Sequence, residues 1–180
     1  MRPKVVLQRL FQPRAARQTG AKLYEAVTRQ ARKPEFYVEL GVPDSVEGRF
    51  ELYSLHVVLL LHRLKGQGGQ ASEVSQALFD AYIRSLDDAL RDLGVGDLSV
   101  GKKMRKLGEA FYGRVKSYES ALTGGDVVLR DLVARTLYAD NAEGAVDAMV
   151  AYVRASEASL GNQALSDIIE GLPAWAEIVS

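Results

Sequence analysis

Apolar residues recur at helical intervals along most of this chain. Between residues 97 and 124, Val100, Met104, Leu107, Phe111, Val115, Tyr118 and Leu122 follow one another at spacings of four, three, four, four, three and four. That rhythm places them on a single stripe of a long α-helix. Ser99 is positioned to cap it, while Lys102, Lys103, Arg105, Lys106, Lys116 and Glu119 lie off the stripe, so the outer face reads as basic. From about Asp44 to Lys65 the pattern is different: Phe50, Leu52, Tyr53, Leu55, Val57 to Leu61 and Leu64 leave almost no polar side. A helix that is apolar nearly all round belongs at the centre of a fold. The next segment, about Ser72 to Leu93, carries a wide apolar band through Val74, Leu78, Ala81, Tyr82, Leu86, Ala89 and Leu93. Its other side aligns Gln76, Asp80, Arg84, Asp87 and Arg91, where opposite charges three or four residues apart can pair along a solvated face.

Weaker helical patterning continues through Val127 to Tyr138, Ala145 to Leu160 and Gln163 to Ile169, and no alternating run competes as a strand. Pro3, Pro13, Pro34 and Pro43 crowd the start, with no further proline until Pro173, which leaves the middle free to be helical. Glycines at Gly20, Gly41, Gly66 to Gly69, Gly94, Gly96, Gly124, Gly125, Gly144, Gly161 and Gly171 mark candidate helix ends. The expected fold is all-α, a single compact bundle of about seven helices around a central apolar helix. Residues 20–180 form its one domain, behind a mobile basic arm at residues 1–19.

Composition narrows the chemistry more than the fold. There is no cysteine among the 180 residues, so disulfides, thiolate nucleophiles and cysteine metal sites are all excluded. The net charge of zero conceals a segregation: residues 1–33 hold nine lysines or arginines against Glu25, and residues 126–180 hold nine acids against three arginines. The Arg-rich beginning lacks the serine content and processing signal of a transit peptide and reads as a solvated arm. The longest uncharged apolar run, Leu52 to Leu61, is too short to span a bilayer and contains Ser54 and His56.

Tests for an active site fail. His56 and His62 are six residues apart, so on one helix they diverge and cannot form an adjacent-turn metal pair. His56, inside an apolar run, reads as a core histidine. The string from Gly94 to Lys103 misses the phosphate-loop spacing, having Lys103 where Ser or Thr is required, and reads as a turn between helices. Asp87 and Asp88 are neighbours in sequence and therefore diverge on a helix. The expectation is a protein that is not an enzyme, with no cofactor and no metal. A basic arm and a cationic helix face leave an RNA- or ribosome-binding factor as the alternative class.

Ordered motifs then point to a family. Gln30 to Tyr37 (QARKPEFY), Leu40 to Asp44 (LGVPD) and Gly48-Arg49-Phe50 precede the leucine-rich helix opened by Leu55-His56. Ser75 to Asp80 (SQALFD), Leu90-Arg91, Gly94 to Val100 (GVGDLSV) and Ala110 to Arg114 (AFYGR) follow in order. Over about residues 24–137 the chain resembles the ubiquinol-cytochrome c chaperone family. The resemblance implies an assembly chaperone that binds newly synthesised cytochrome b and assists assembly of the bc1 complex. In mitochondria the family resembles a ribosome-associated factor acting with a small partner protein. Independently of the resemblance, the clustered charges of the basic arm and the cationic helix face are expected to contact an anionic membrane surface or ribosomal RNA. The short N-terminus favours the bacterial form, cytoplasmic and peripheral at the inner membrane; the eukaryotic form acts on the mitochondrial matrix side.

Within these motifs, Phe36, Tyr37, Phe50, Phe79, Phe111 and Tyr112 are the candidates to line a client groove. Arg49, Asp80, Asp87, Arg91, Asp97 and Arg114 are costly to bury alone and are expected in ion pairs or at a partner contact. Lys102, Lys103, Arg105 and Lys106 make the expected electrostatic surface, and Gly41, Pro43, Gly94 and Gly96 the turns.

Overall fold

The computed structural model describes residues 14–139 and 145–179, so most of the expected basic arm and the helix end marked by Gly144 lie outside the described residues. Among these residues there are eight helices and no strand: α1 (Arg14–Ala31), α2 (Pro34–Val38), α3 (Val46–Leu64), α4 (Gly69–Asp92), α5 (Asp97–Gly124), α6 (Asp126–Leu137), α7 (Ala145–Asn162) and α8 (Leu165–Ile169). Residues 14–19, expected from sequence to belong to the arm, are the opening turns of α1.

Helix α3 is the centre, as its pattern predicts. It packs against α1, α4, α5, α6 and α7, and Leu52, Leu55, Val57, Val58, Leu59 and Leu60 are all buried. Its start is well specified: Ser45 accepts a hydrogen bond from the Gly48 amide at 3.0 Å, and Glu47 stands in the positively polarised first turn. Gly48 has to be glycine, because a Cβ there would lie 2.1 Å from the Pro43 carbonyl oxygen. The motif residues Pro43 and Gly48 thus fix how the chain enters the central helix.

Two sequence expectations change. Gly20 ends nothing; it lies inside α1 with its Cα against α4, where an added Cβ would fall 2.5 Å from the Ala77 carbonyl carbon. Small residues at the crossing let the two backbones approach. Ser99 does not cap α5. The N-cap is Gly96, and Ser99 lies within the first helical turn.

Helix α5 is uneven along its length. From Asp87 on α4, through the turn at Gly94, to Ala110 on α5, Val100 alone is buried. The end of α4 and the first half of α5 therefore form a helical hairpin that projects from the body, with Leu93 and Leu98 exposed at its tip. The second half of α5 rejoins the core through Phe111, Tyr118, Ala121 and Leu122.

Candidate functional site

Where the hairpin meets the body, α4 and α5 bring four aromatic rings together. Phe79 lies 5.6 Å from Phe111 and 5.5 Å from Tyr112, and Tyr82 lies 5.0 Å from Phe111, all measured between ring centroids. Tyr82 is the inner end of this seam, fully buried and hydrogen-bonded to Ser54 on α3 at 2.8 Å. Tyr112, at 58% exposure, is the outer end, and Phe79 is half-buried between them. The seam therefore grades from core to solvent, and its outer rim presents apolar ring surface to whatever approaches.

A buried ion pair closes the seam on one side. Arg114, one helical turn past Phe111, donates from Nε and Nη2 to both carboxylate oxygens of Glu51, each at 2.7 Å. The fork joins α5 to α3 beside Phe50, and the Glu51 side chain is only 10% exposed. Hydrogen bonding to that carboxylate raises the Arg114 pKa, outweighing the opposing effect of burial. Such a pair fixes the angle between two helices more than it stabilises them, since burying both charges offsets much of their attraction. Sequence patterning did not single out Glu51. Its signal was a carboxylate immediately before the apolar run Leu52 to Leu61, on a helix expected at the centre of the fold, where a charge needs a partner.

The other candidate residues separate cleanly. Phe36 and Phe111 are fully buried, which corrects their assignment as client contacts: neither ring reaches the surface unless the fold opens. Phe36 instead packs edge-on against His56 and Tyr152, at 5.4 and 5.0 Å. Tyr37 and Phe50 are half-buried at the corner between α2 and α3. The Tyr37 hydroxyl donates to the Ala31 carbonyl at 2.8 Å, and the Arg49 guanidinium, paired with Asp44 at 2.6 Å, stands 5.6 Å from the Tyr37 ring centroid. Val38 and Val46, at 80% and 61% exposure, extend this corner outward.

Among the charged candidates, Arg91 bonds Asp87 on its own helix at 2.8 Å and reaches Asp97 on α5, clasping the hairpin near its turn. Asp80 is buried, not on a solvated face, and accepts from Gln76 at 3.0 Å. Lys102, Lys103, Arg105 and Lys106 are all exposed on the projecting half of α5, as their positions off the stripe predict.

His56 is a core residue. Its Nδ1–H donates to the Leu52 carbonyl at 2.7 Å, and its Nε2 accepts from the Tyr152 hydroxyl at 2.7 Å, which itself accepts from Gln30 at 3.0 Å. Burial pushes its pKa down to about 4, so the ring is neutral near pH 7. Trp175, in the extended segment after α8, packs edge-on against it at 5.0 Å. Tyr152 and Trp175, far along the chain, were invisible as partners of His56 because sequence order says nothing about which helix faces it.

His62 borders a shallow cleft of about 440 Å³ with Arg63, Glu157 and Leu160. Arg63 there donates to the carbonyls of Leu160 and Gln163 at 2.7 and 3.1 Å, holding the start of the C-terminal segment. These groups serve the fold. Among the described residues no cluster of three or more His, Asp or Glu side chains could hold a metal ion, and no helix is long and apolar enough to cross a membrane.

Comparison with known proteins places this arrangement. The crystal structure titled as the Cbp3 homolog from Brucella abortus superimposes with a TM-score of 0.82 at 31% identity, covering 96% of this chain and 97% of that one. Proteins named ubiquinol-cytochrome c reductase complex assembly factor 1 are similar at lower identity. That of Xenopus laevis is 21% identical over 74% of this chain, and that of Drosophila melanogaster 24% identical over 89%. The chain spans 68% and 65% of the length of those two relatives, and 55% of the length of the one from Mus musculus. Residues 38–175 match the family described as ubiquinol-cytochrome C chaperone, a span that takes in the corner at Phe50, the aromatic seam, the Glu51–Arg114 fork and the segment that carries Trp175 over His56. The chain belongs to the ubiquinol-cytochrome C chaperone family.

Proposed function

We propose that this protein is a bc1-complex assembly chaperone that holds newly synthesised or unassembled cytochrome b through the rim of its aromatic seam. The observation that carries the reading is the grading of that seam: Tyr82 and Phe111 anchor it in the core, while Phe79 and Tyr112 bring it to the surface. Membership of the ubiquinol-cytochrome C chaperone family, with relatives named for assembly of ubiquinol-cytochrome c reductase, supports a client belonging to that complex. An unassembled client made of apolar helices must cover its surface before assembly. Burial of apolar area gains about 25 cal/mol per Å² before the cost of ordering. Rigid ring faces with a fixed rim supply such area at low entropic cost. The half-buried corner of Tyr37 and Phe50, continued by Val38 and Val46, is the second apolar strip available to the same client.

Photo-crosslinkers placed one at a time at Tyr37, Phe50, Phe79 and Tyr112 in cells test this. Capture of cytochrome b from Phe79 and Tyr112 is the expected result. Tyr112→Ala should weaken capture while shifting the melting temperature little, because the ring is largely exposed. Absence of cytochrome b from every crosslinked position, with normal bc1 assembly in a deletion strain, would refute the reading.

A further inference from the structure

We propose that the outer face of the projecting half of α5 rests on an anionic lipid surface, with Leu98 entering the boundary between headgroups and acyl chains and Lys102, Arg105 and Lys106 against the headgroups. On a helix these positions share one side: Leu98, Lys102, Arg105, Glu109 and Tyr112 follow at intervals of four, three, four and three, with Lys106 beside Arg105. That side is opposite the stripe of Val100, Met104, Leu107 and Phe111. It is open throughout. Leu98 is fully exposed at 101%, Leu93 across the turn is 63% exposed, and all three cations are exposed.

The charges are available for an outside partner. Arg91 and Arg114 are engaged with acids of this chain, but Lys102, Lys103, Arg105 and Lys106 make no ion pair among the described residues. Glu109 is the one acid on the face itself; Asp88 and Asp92 are exposed on the other limb of the hairpin. Gly101 and Gly108 flank the face and meet nothing within 4 Å of an added Cβ, so no bulk holds a flat surface away. The apolar stripe of α5 is used within the fold, so the contact is mainly electrostatic: the exposed cations meet anionic headgroups, and the one exposed leucine on their side adds a shallow apolar insertion. RNA would use the cations but not Leu98, and the face offers no ring for base stacking before Tyr112.

The geometry also connects this contact with the aromatic seam. A helix lying along the lipid surface as far as Tyr112 holds the seam at the level where an apolar client helix enters or leaves the bilayer. That link rests on the chaperone reading. The lipid contact itself does not.

The test uses the full chain and sedimentation with vesicles of phosphatidylcholine alone or with added phosphatidylglycerol, at low and high salt. Binding should require phosphatidylglycerol, fall with salt, and drop at least about tenfold when Lys102, Arg105 and Lys106 are all replaced by Gln. Leu98→Ser should lower it by about fivefold and leave the salt dependence unchanged, and Glu109→Gln should raise it about twofold. Thermal melts of the variants should match the parent, since every altered side chain is exposed. Equal sedimentation with neutral vesicles overturns the proposal. So does undiminished binding by the triple variant, loss only when residues 1–13 are removed, or retention by ribosomal RNA with no vesicle binding. Capture of cytochrome b by Tyr112 crosslinkers is scored separately, so failure of one idea leaves the other standing.

Discussion

Helix α3 and the hairpin tip between α4 and α5 contain similar apolar residues and meet opposite fates. In α3, the leucines and valines from Leu52 to Leu60 are buried, and even the polar groups are used: Ser54 bonds Tyr82, His56 bonds Leu52 and Tyr152, and Glu51 takes the Arg114 fork. At the tip, Leu93 and Leu98 face solvent and one residue in the two dozen between Asp87 and Ala110 is buried. The contrast teaches that an apolar stripe reports a face and not its cover. Five helices enclose α3, whereas the start of α5 has α4 alone for company, and a two-helix hairpin can bury only the strip between its limbs.

The comparison breaks most visibly at Phe36. Truncating this fully buried ring beside His56 and Tyr152 to Ala should cost about 3–5 kcal/mol, read by urea unfolding. A loss below about 1 kcal/mol would mean that the α2 corner is not part of the same core.

Acid should separate the two regions next. His56 titrates near 6.5 in the unfolded chain and near 4 in the folded one, so the unfolded chain takes up its proton first as pH falls. The stabilisation is complete above about pH 6.5 and is lost progressively down to about pH 4. The expected loss is on the order of 3 kcal/mol, since each tenfold difference in proton affinity between the two states is worth about 1.4 kcal/mol. In His56→Gln the extra slope of stability between pH 6.5 and pH 5 should disappear. An unchanged slope would show that the ring is not enclosed as described.

At the tip, effects on stability should be the smallest. Leu98→Ser should change unfolding free energy by less than about 0.5 kcal/mol, because nothing is uncovered. Amides of residues 98–108 should exchange with solvent faster than those of residues 52–60. A destabilisation above about 1 kcal/mol would sharpen the picture differently, by showing that Leu98 has a partner in solution, such as a second copy of the chain.

The sequence by itself determined the helices from α3 onward and the apolar faces of α3, α4 and α5, but not α1, in which Gly20 read as a helix end. Spacing of three and four placed Val100 to Leu122 on one stripe, all-round apolarity made α3 the centre, and the absence of proline between Pro43 and Pro173 left the middle free to be helical. The ordered motifs carried the family as well. Those signals are local, and local signals survive in a string of letters. Tertiary structure alone decided which stripes are covered. Phe36 and Phe111 resemble Tyr112 as aromatics in motif segments, yet the first two are sealed and the third is open, because helices distant in sequence close over one and not the other. Likewise only the fold brings Glu51 to Arg114, sixty-three positions away, and Trp175 over His56. Periodicity gives each helix an inside; the order and angles of packing, set by close approaches such as Gly20 against Ala77, determine where the inside ends and the working surface begins.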